Sequence, residues 1–164
     1  MFYKPKHFTA KELLPPNAYS ALGDNGLYLL MDWRILWTID SLRKRLGPIT
    51  INNWHTGGSF SQRGFRDDAN TGARYSQHRF GRAVDFDIKG LPAAEFRAKV
   101  KSGELNEELQ YITVIEESHT VVVAGKKSVV PATWNHVDCR APADLITADI
   151  LAGDPSKGIK FIQA

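Results

Sequence analysis

Ser76-Gln77-His78-Arg79-Phe80-Gly81-Arg82-Ala83-Val84-Asp85-Phe86-Asp87 is the stretch on which the fold turns. It reads as a turn feeding a β-strand: Gly81 stands where the chain must bend, and from Ala83 on apolar and acidic residues alternate. A strand sends successive side chains to opposite faces, so Asp85 and Asp87 share one face while Val84, Phe86 and Ile88 share the other. The apolar face asks for a core. The other face then carries two carboxylates toward a cleft, and carboxylates on an inner strand are normally paired or bound to a cation.

A second stretch, Trp134-Asn135-His136-Val137-Asp138, alternates in the same way and places Trp134, His136 and Asp138 on one face. His78, Asp85 and His136 together offer two imidazoles and one carboxylate. Three protein ligands with one position left open is the donor set of a catalytic zinc site. A structural zinc site is closed by four ligands, commonly thiolates, and this chain has a single cysteine, Cys139. The same His2Asp set also accepts other divalent ions.

The 164 residues suit one domain, 1–164, with its motif-bearing part at about 49–140. Apolar content of 43% and charge of 24% are those of an ordinary globule. The 21 basic and 18 acidic residues are spread along the chain, whereas a nucleic-acid binder clusters its basic residues, so no nucleic-acid partner is expected. The net charge of +3 is compatible with an anionic polymer such as bacterial wall. One cysteine rules out an internal disulfide framework. No run approaches a membrane span, and Met1 to Lys6 lacks the apolar core of a secretion signal. The expectation is synthesis in the cytoplasm, with work outside depending on a separate release factor or carriage in a virion.

Thr9-Ala10-Lys11-Glu12 is a capping box opening a short helix that Pro15-Pro16 stops. Leu27, Leu30, Met31, Ile35, Leu36, Ile39, Leu42 and Leu46 recur at helical spacing, predicting one long core helix ended by Gly47-Pro48, with Trp33 and Trp37 as packing residues. Pro48 to Trp54 reads as a strand. His55 to Tyr75 is an aperiodic loop of about twenty residues, long for a compact domain and therefore a candidate functional wall. A second helix runs from Leu91 to about Lys101, strands cover Tyr111–Glu116 and Thr120–Ala124, and Trp134–Cys139 is the last clear strand. The tail from Ala141 on is weakly patterned. The sum is an α+β fold, a small, mostly antiparallel sheet with helices on one side. His7 and His119 read as solvent histidines, His55 as a candidate cleft residue, and Cys139 as a buried small hydrophobe.

Ser76-x-His78-x-x-Gly81-x-Ala83-x-Asp85, followed by Trp134-x-His136-Val137-Asp138, resembles the zinc D-alanyl-D-alanine carboxypeptidase family. That family includes VanY-type enzymes and phage endolysins that cut peptidoglycan stem peptides. The segment His7 to Pro16 (HFTAKELLPP) is similar to phage-encoded members. The resemblance implies the D-Ala-D-Ala metallopeptidase (hedgehog-like) fold and a zinc ion held by His78, Asp85 and His136. It also implies Arg66, within Arg63-Gly64-Phe65-Arg66, as the holder of a substrate carboxylate, although the leading Ser/Thr of the family's Ser/Thr-Gly-x-Arg element is absent. Ser76 is implied as a residue that orients the site.

The chain departs from that pattern where many members carry the general base, three residues before the last histidine. Thr133 stands there and does not take a proton from water at neutral pH. A base must come from elsewhere. Glu116 is the first candidate, because Ile112-x-x-Ile115-Glu116 resembles a strand kept by members with this variant, and that strand is expected to pair with the one carrying His136. Glu117, Asp138 and Asp87 are the alternatives. Two other classes stay open: a virion-associated or structural protein that keeps the metal without hydrolysis, and a module that binds wall peptides.

Overall fold

The alternation of Ala83–Ile88 becomes a strand with Val84, Phe86 and Ile88 buried beneath it. This is seen in the computed structural model, which describes residues 2–123, 125–140 and 159–163. In chain order the described strands are β1 (Ile49–Thr50), β2 (Ala83–Ile88), β3 (Val114–Val123), β4 (Lys126–Pro131), β5 (Asn135–Asp138) and β6 (Lys160–Gln163). They form one sheet in the order β1-β2-β5-β3-β4, with β6 added in parallel to β3 and every other pairing antiparallel. The fold is therefore α+β, with a small, mostly antiparallel open sheet and a few helices.

The two strands expected over 111–124 are one. Val114–Val123 is a single strand that runs into a hairpin with β4, so Glu116 lies inside a strand and not at its end. Neither β4 nor β6 was marked by the sequence pattern. Ala124 and the tail from Ala141 to Gly158 lie outside the described residues.

The expected long helix is also two. α3 (Gly26–Leu30) and α4 (Trp33–Leu46) are parted at Met31 and Asp32. Asp32 is extended, and its carboxylate accepts the Arg34 N–H at 3.0 Å, so it caps a new helix. Apolar spacing continues across the break because both pieces bury their residues in the same core. The capping box forms: Glu12 accepts the Thr9 N–H at 2.8 Å at the start of α1 (Ala10–Leu13), and its other oxygen pairs with Arg43 of α4 at 2.9 Å. Pro15-Pro16 ends α1, but Pro16 also opens α2 (Pro16–Leu22), since the first position of a helix needs no N–H. The strand expected from Pro48 to Trp54 stops at Thr50. Beyond it Asn52 and Asn53 spend their side-chain carbonyls on loop amides, accepting from Arg63 at 3.0 Å and Phe60 at 2.8 Å.

The core lies between one face of the sheet and the helices. Val84 and Phe86 of β2, Ile115 of β3 and Val137 of β5 meet Ile35, Ile39 and Leu42 of α4. Phe96 of α5 (Ala93–Lys101) packs edge-on against Phe86 at 5.5 Å between ring centres. Each such fully buried side chain contributes about 1.5–3 kcal/mol. Trp33 and Trp37 both pack edge-on against Tyr111, as packing residues. With this face committed to the core, the opposite face of β2, β5 and β3 is left for polar groups.

Candidate metal centre

The turn before β2 sets the first imidazole. Gln77–Phe80 makes a single 3₁₀ turn, and Gly81 ends it at φ +66. A Cβ at Gly81 would sit 1.8 Å from the Leu30 carbonyl oxygen, and the Asp32 N–H donates to the Gly81 carbonyl at 3.0 Å. The turn is thus locked onto the joint between α3 and α4. His78 is buried there, with Nδ1 2.9 Å from the Gly64 carbonyl. A carbonyl only accepts, so Nδ1 carries a proton, and Nε2 lies 3.3 Å from Asp85.

Sheet register sets the other two groups. Asp85 and His136 are direct partners across β2 and β5, and directly opposed side chains share a face. His136 Nδ1 is 2.7 Å from Asp85 Oδ1, and its Nε2 is 3.4 Å from Asp138 Oδ2. The ligand atoms of His78, Asp85 and His136 all lie within 4.8 Å of one another, so this largely buried group could hold a metal ion. The ring orientations fit that role: the far nitrogen of each ring meets an acceptor, Gly64 or Asp138, and the near nitrogens face Asp85. Asp138 is fully buried and also accepts from the Arg140 guanidinium, with Nε at 2.8 and 2.9 Å from its two oxygens.

The charges follow from this geometry. Burial alone would raise the Asp85 carboxyl, but the two imidazoles outweigh it and hold it well below the usual carboxylate range. Burial opposes charge on His136, yet hydrogen bonds to Asp138 and Asp85 push it up to about 9. Asp138 is likewise held low by His136 and Arg140 against the cost of burial.

The other expected residues separate clearly. Glu116 shares the cleft: β3 and β5 pair Val114 with Asp138 and Ile115 with Val137, and one further step sets Glu116 against His136. It is 7% exposed, and burial pushes its carboxyl up while His136 pulls it down. Glu117 faces away and pairs with Lys101 of α5. Asp87 shares a strand face with Asp85 but leaves the cleft, bonding Arg63 at 2.5 Å. Asp138 has both oxygens engaged. Glu116 is therefore the carboxylate that the fold leaves available beside the three candidate ligands among the described residues.

Arg66 lines the same cleft of about 450 Å³, and so do Gly72, Ala73 and Tyr75 of the long loop. Its guanidinium is held by Ser76 Oγ at 3.3 Å, the Gln62 carbonyl at 3.2 Å and Asp85 at 3.5 Å. Ser76 therefore positions Arg66. His55, the candidate cleft residue, packs edge-on against Trp54 and does not line the cleft. His7 is exposed and Cys139 fully buried, as the pattern indicated.

Arg140, Trp134 and His119 are among the cleft residues that escaped the sequence reading. Arg140 shared strand parity with Asp138, a usable signal. Trp134 was placed on the right face but given no role. His119 was read as a solvent histidine, yet it sits within β3 and lines the cleft. In an unbroken strand Glu116 and His119, three apart, would face opposite ways. Between Glu116 and Ser118 the register shifts by one residue, and such irregularities re-aim side chains beside functional sites. No protein-family model, curated protein or solved structure matches this chain.

Proposed function

We propose that this protein is a zinc-dependent peptidase that hydrolyses peptide bonds in bacterial peptidoglycan stem peptides, of the D-alanyl-D-alanine carboxypeptidase or endolysin kind. The observation that carries the reading is the convergence of His78, Asp85 and His136 within 4.8 Å, with Glu116 buried in the same cleft. Two nitrogens and one oxygen in a partly open cleft suit zinc with a position left for substrate. Bound there, the ion supplies a Lewis acid for the scissile carbonyl and makes a nearby water more acidic.

The chain's own groups supply the rest. Glu116 takes a proton from the attacking water, the role that Thr133 cannot fill. Arg66, held by Ser76 and the Gln62 carbonyl, presents a planar cation to a free carboxylate of the stem peptide and so fixes the peptide over the site. Asp138, clamped by Arg140, keeps the His136 ring turned with Nδ1 toward Asp85. The protein would reach the wall after release by a separate factor or within a virion.

Metal analysis of the purified protein, paired with digestion of peptidoglycan by wild type and Glu116→Gln, tests the proposal. The expected result is about one zinc per chain in both, and a fall of about 10²–10⁴-fold in turnover for the variant. Zinc without any release of peptide from wild type would leave a metal-holding protein that is not a peptidase. Equal turnover by the variant would remove Glu116 as the base.

A further inference from the structure

On the reading just given, we propose that His119 is a second catalytic residue, the group that protonates the leaving nitrogen. Glu116 and His119 lie on one strand, and the register shift between Glu116 and Ser118 turns both into the cleft that holds His78, Asp85 and His136. The His119 ring is fixed against Trp134, 4.6 Å between centres and tilted by 43°. Its Nδ1 is buried and has no hydrogen-bond partner among the described residues. An imidazole so held, in the same cleft as the Glu116 carboxylate, is placed to move a proton; a ring that only packed would leave its buried nitrogen as an uncompensated cost.

The protons balance over a cycle. The water oxygen bonds to the carbonyl carbon, and one water proton passes to Glu116. The C–N bond breaks with its electron pair on nitrogen, which takes a proton from the protonated His119 ring and leaves as an amine. The proton on Glu116 then returns to His119, and the remaining fragment leaves as a carboxylic acid.

The bond cut in peptidoglycan is first identified by mass spectrometry, and two synthetic peptides are made around it, one with the scissile amide and one with an ester in its place. An ester's leaving alkoxide needs far less help from a proton donor than an amine does. For His119→Gln the expected result is a fall in kcat of about 10²–10³-fold on the amide, a much smaller fall on the ester, and unchanged zinc content. Affinity for a non-cleavable stem-peptide analogue, read by calorimetry, is expected to stay within about twofold of wild type, and Glu116→Gln to lose amide and ester turnover alike. Equal losses on amide and ester, or a loss of analogue binding, would show that His119 only shapes the cleft. Full amide turnover would overturn the role outright. A wild type that cuts neither peptide removes the parent reading and this one together; a wild type that cuts both while His119→Gln does the same removes this one alone.

Discussion

Replacing Gly81 by alanine attacks the joint that aims His78. An alanine at φ +66 sits in the left-handed region, at a cost of about 1–2 kcal/mol. Its methyl carbon would lie 1.8 Å from the Leu30 carbonyl oxygen, a backbone atom that no side-chain rotation can move away. Overpacking of this kind costs about 1–3 kcal/mol. The shift that relieves it strains the Asp32 N–H bond to the Gly81 carbonyl, worth about 0.5–1.5 kcal/mol more. The total is about 2.5–6.5 kcal/mol, which for a chain of this size lowers Tm by at least about 5 °C. Gly90 at φ +79 is the internal control, because a Cβ there meets nothing within 4 Å. Gly90→Ala pays only the backbone cost of about 1–2 kcal/mol. Thermal unfolding of both variants by circular dichroism reads the difference. If Gly81→Ala melts no lower than Gly90→Ala, the close approach to Leu30 is not what holds the turn, and the account of how His78 is aimed fails.

Metal uptake should depend steeply on pH. With His136 pushed up to about 9, its ring is protonated at neutral pH, and a cation must displace that proton. Zinc affinity should then rise roughly tenfold per pH unit from neutrality toward about 9 and level off above it, with about one proton released per ion at pH 7; calorimetry in two buffers of different ionisation enthalpy measures both, and a flat profile would refute the assignment. Burial raises the Glu116 carboxyl, and a base works only when ionised. Activity should therefore fall on acidification at a pH above the ordinary glutamate range, and a limb lying at or below that range would count against Glu116. Burial also pushes the Cys139 thiol up to about 12, and its side chain has no exposed surface. Native protein at pH 8 should resist iodoacetamide and react only once unfolded; prompt native labelling would contradict the packing.

Much of the site was legible in residues close together in the chain. The period-two pattern at 83–88 and at 134–138 separates core face from polar face, because a strand's stereochemistry leaves no other arrangement. Gly81 announced its turn, and Thr9 to Glu12 announced their cap. The Asp32 cap was legible too, as an N-capping residue type just ahead of Trp33, but the unbroken apolar period masked it.

What chain order left open was how distant segments line up. The pairing of Asp85 with His136 depends on hydrogen bonds between strands fifty-one positions apart. Which of Glu116, Glu117, Asp87 and Asp138 faces the cleft without a cation partner among the described residues was set by register and by which cation each one met: Lys101, Arg63 and Arg140 pair with three of them. His119 joined the cleft through a one-residue slip in β3, which reverses strand parity and has no local signature. Side-chain direction within one element follows from the bonded geometry of neighbours; the meeting of elements follows from core packing and ladder hydrogen bonds that neighbours in sequence do not share.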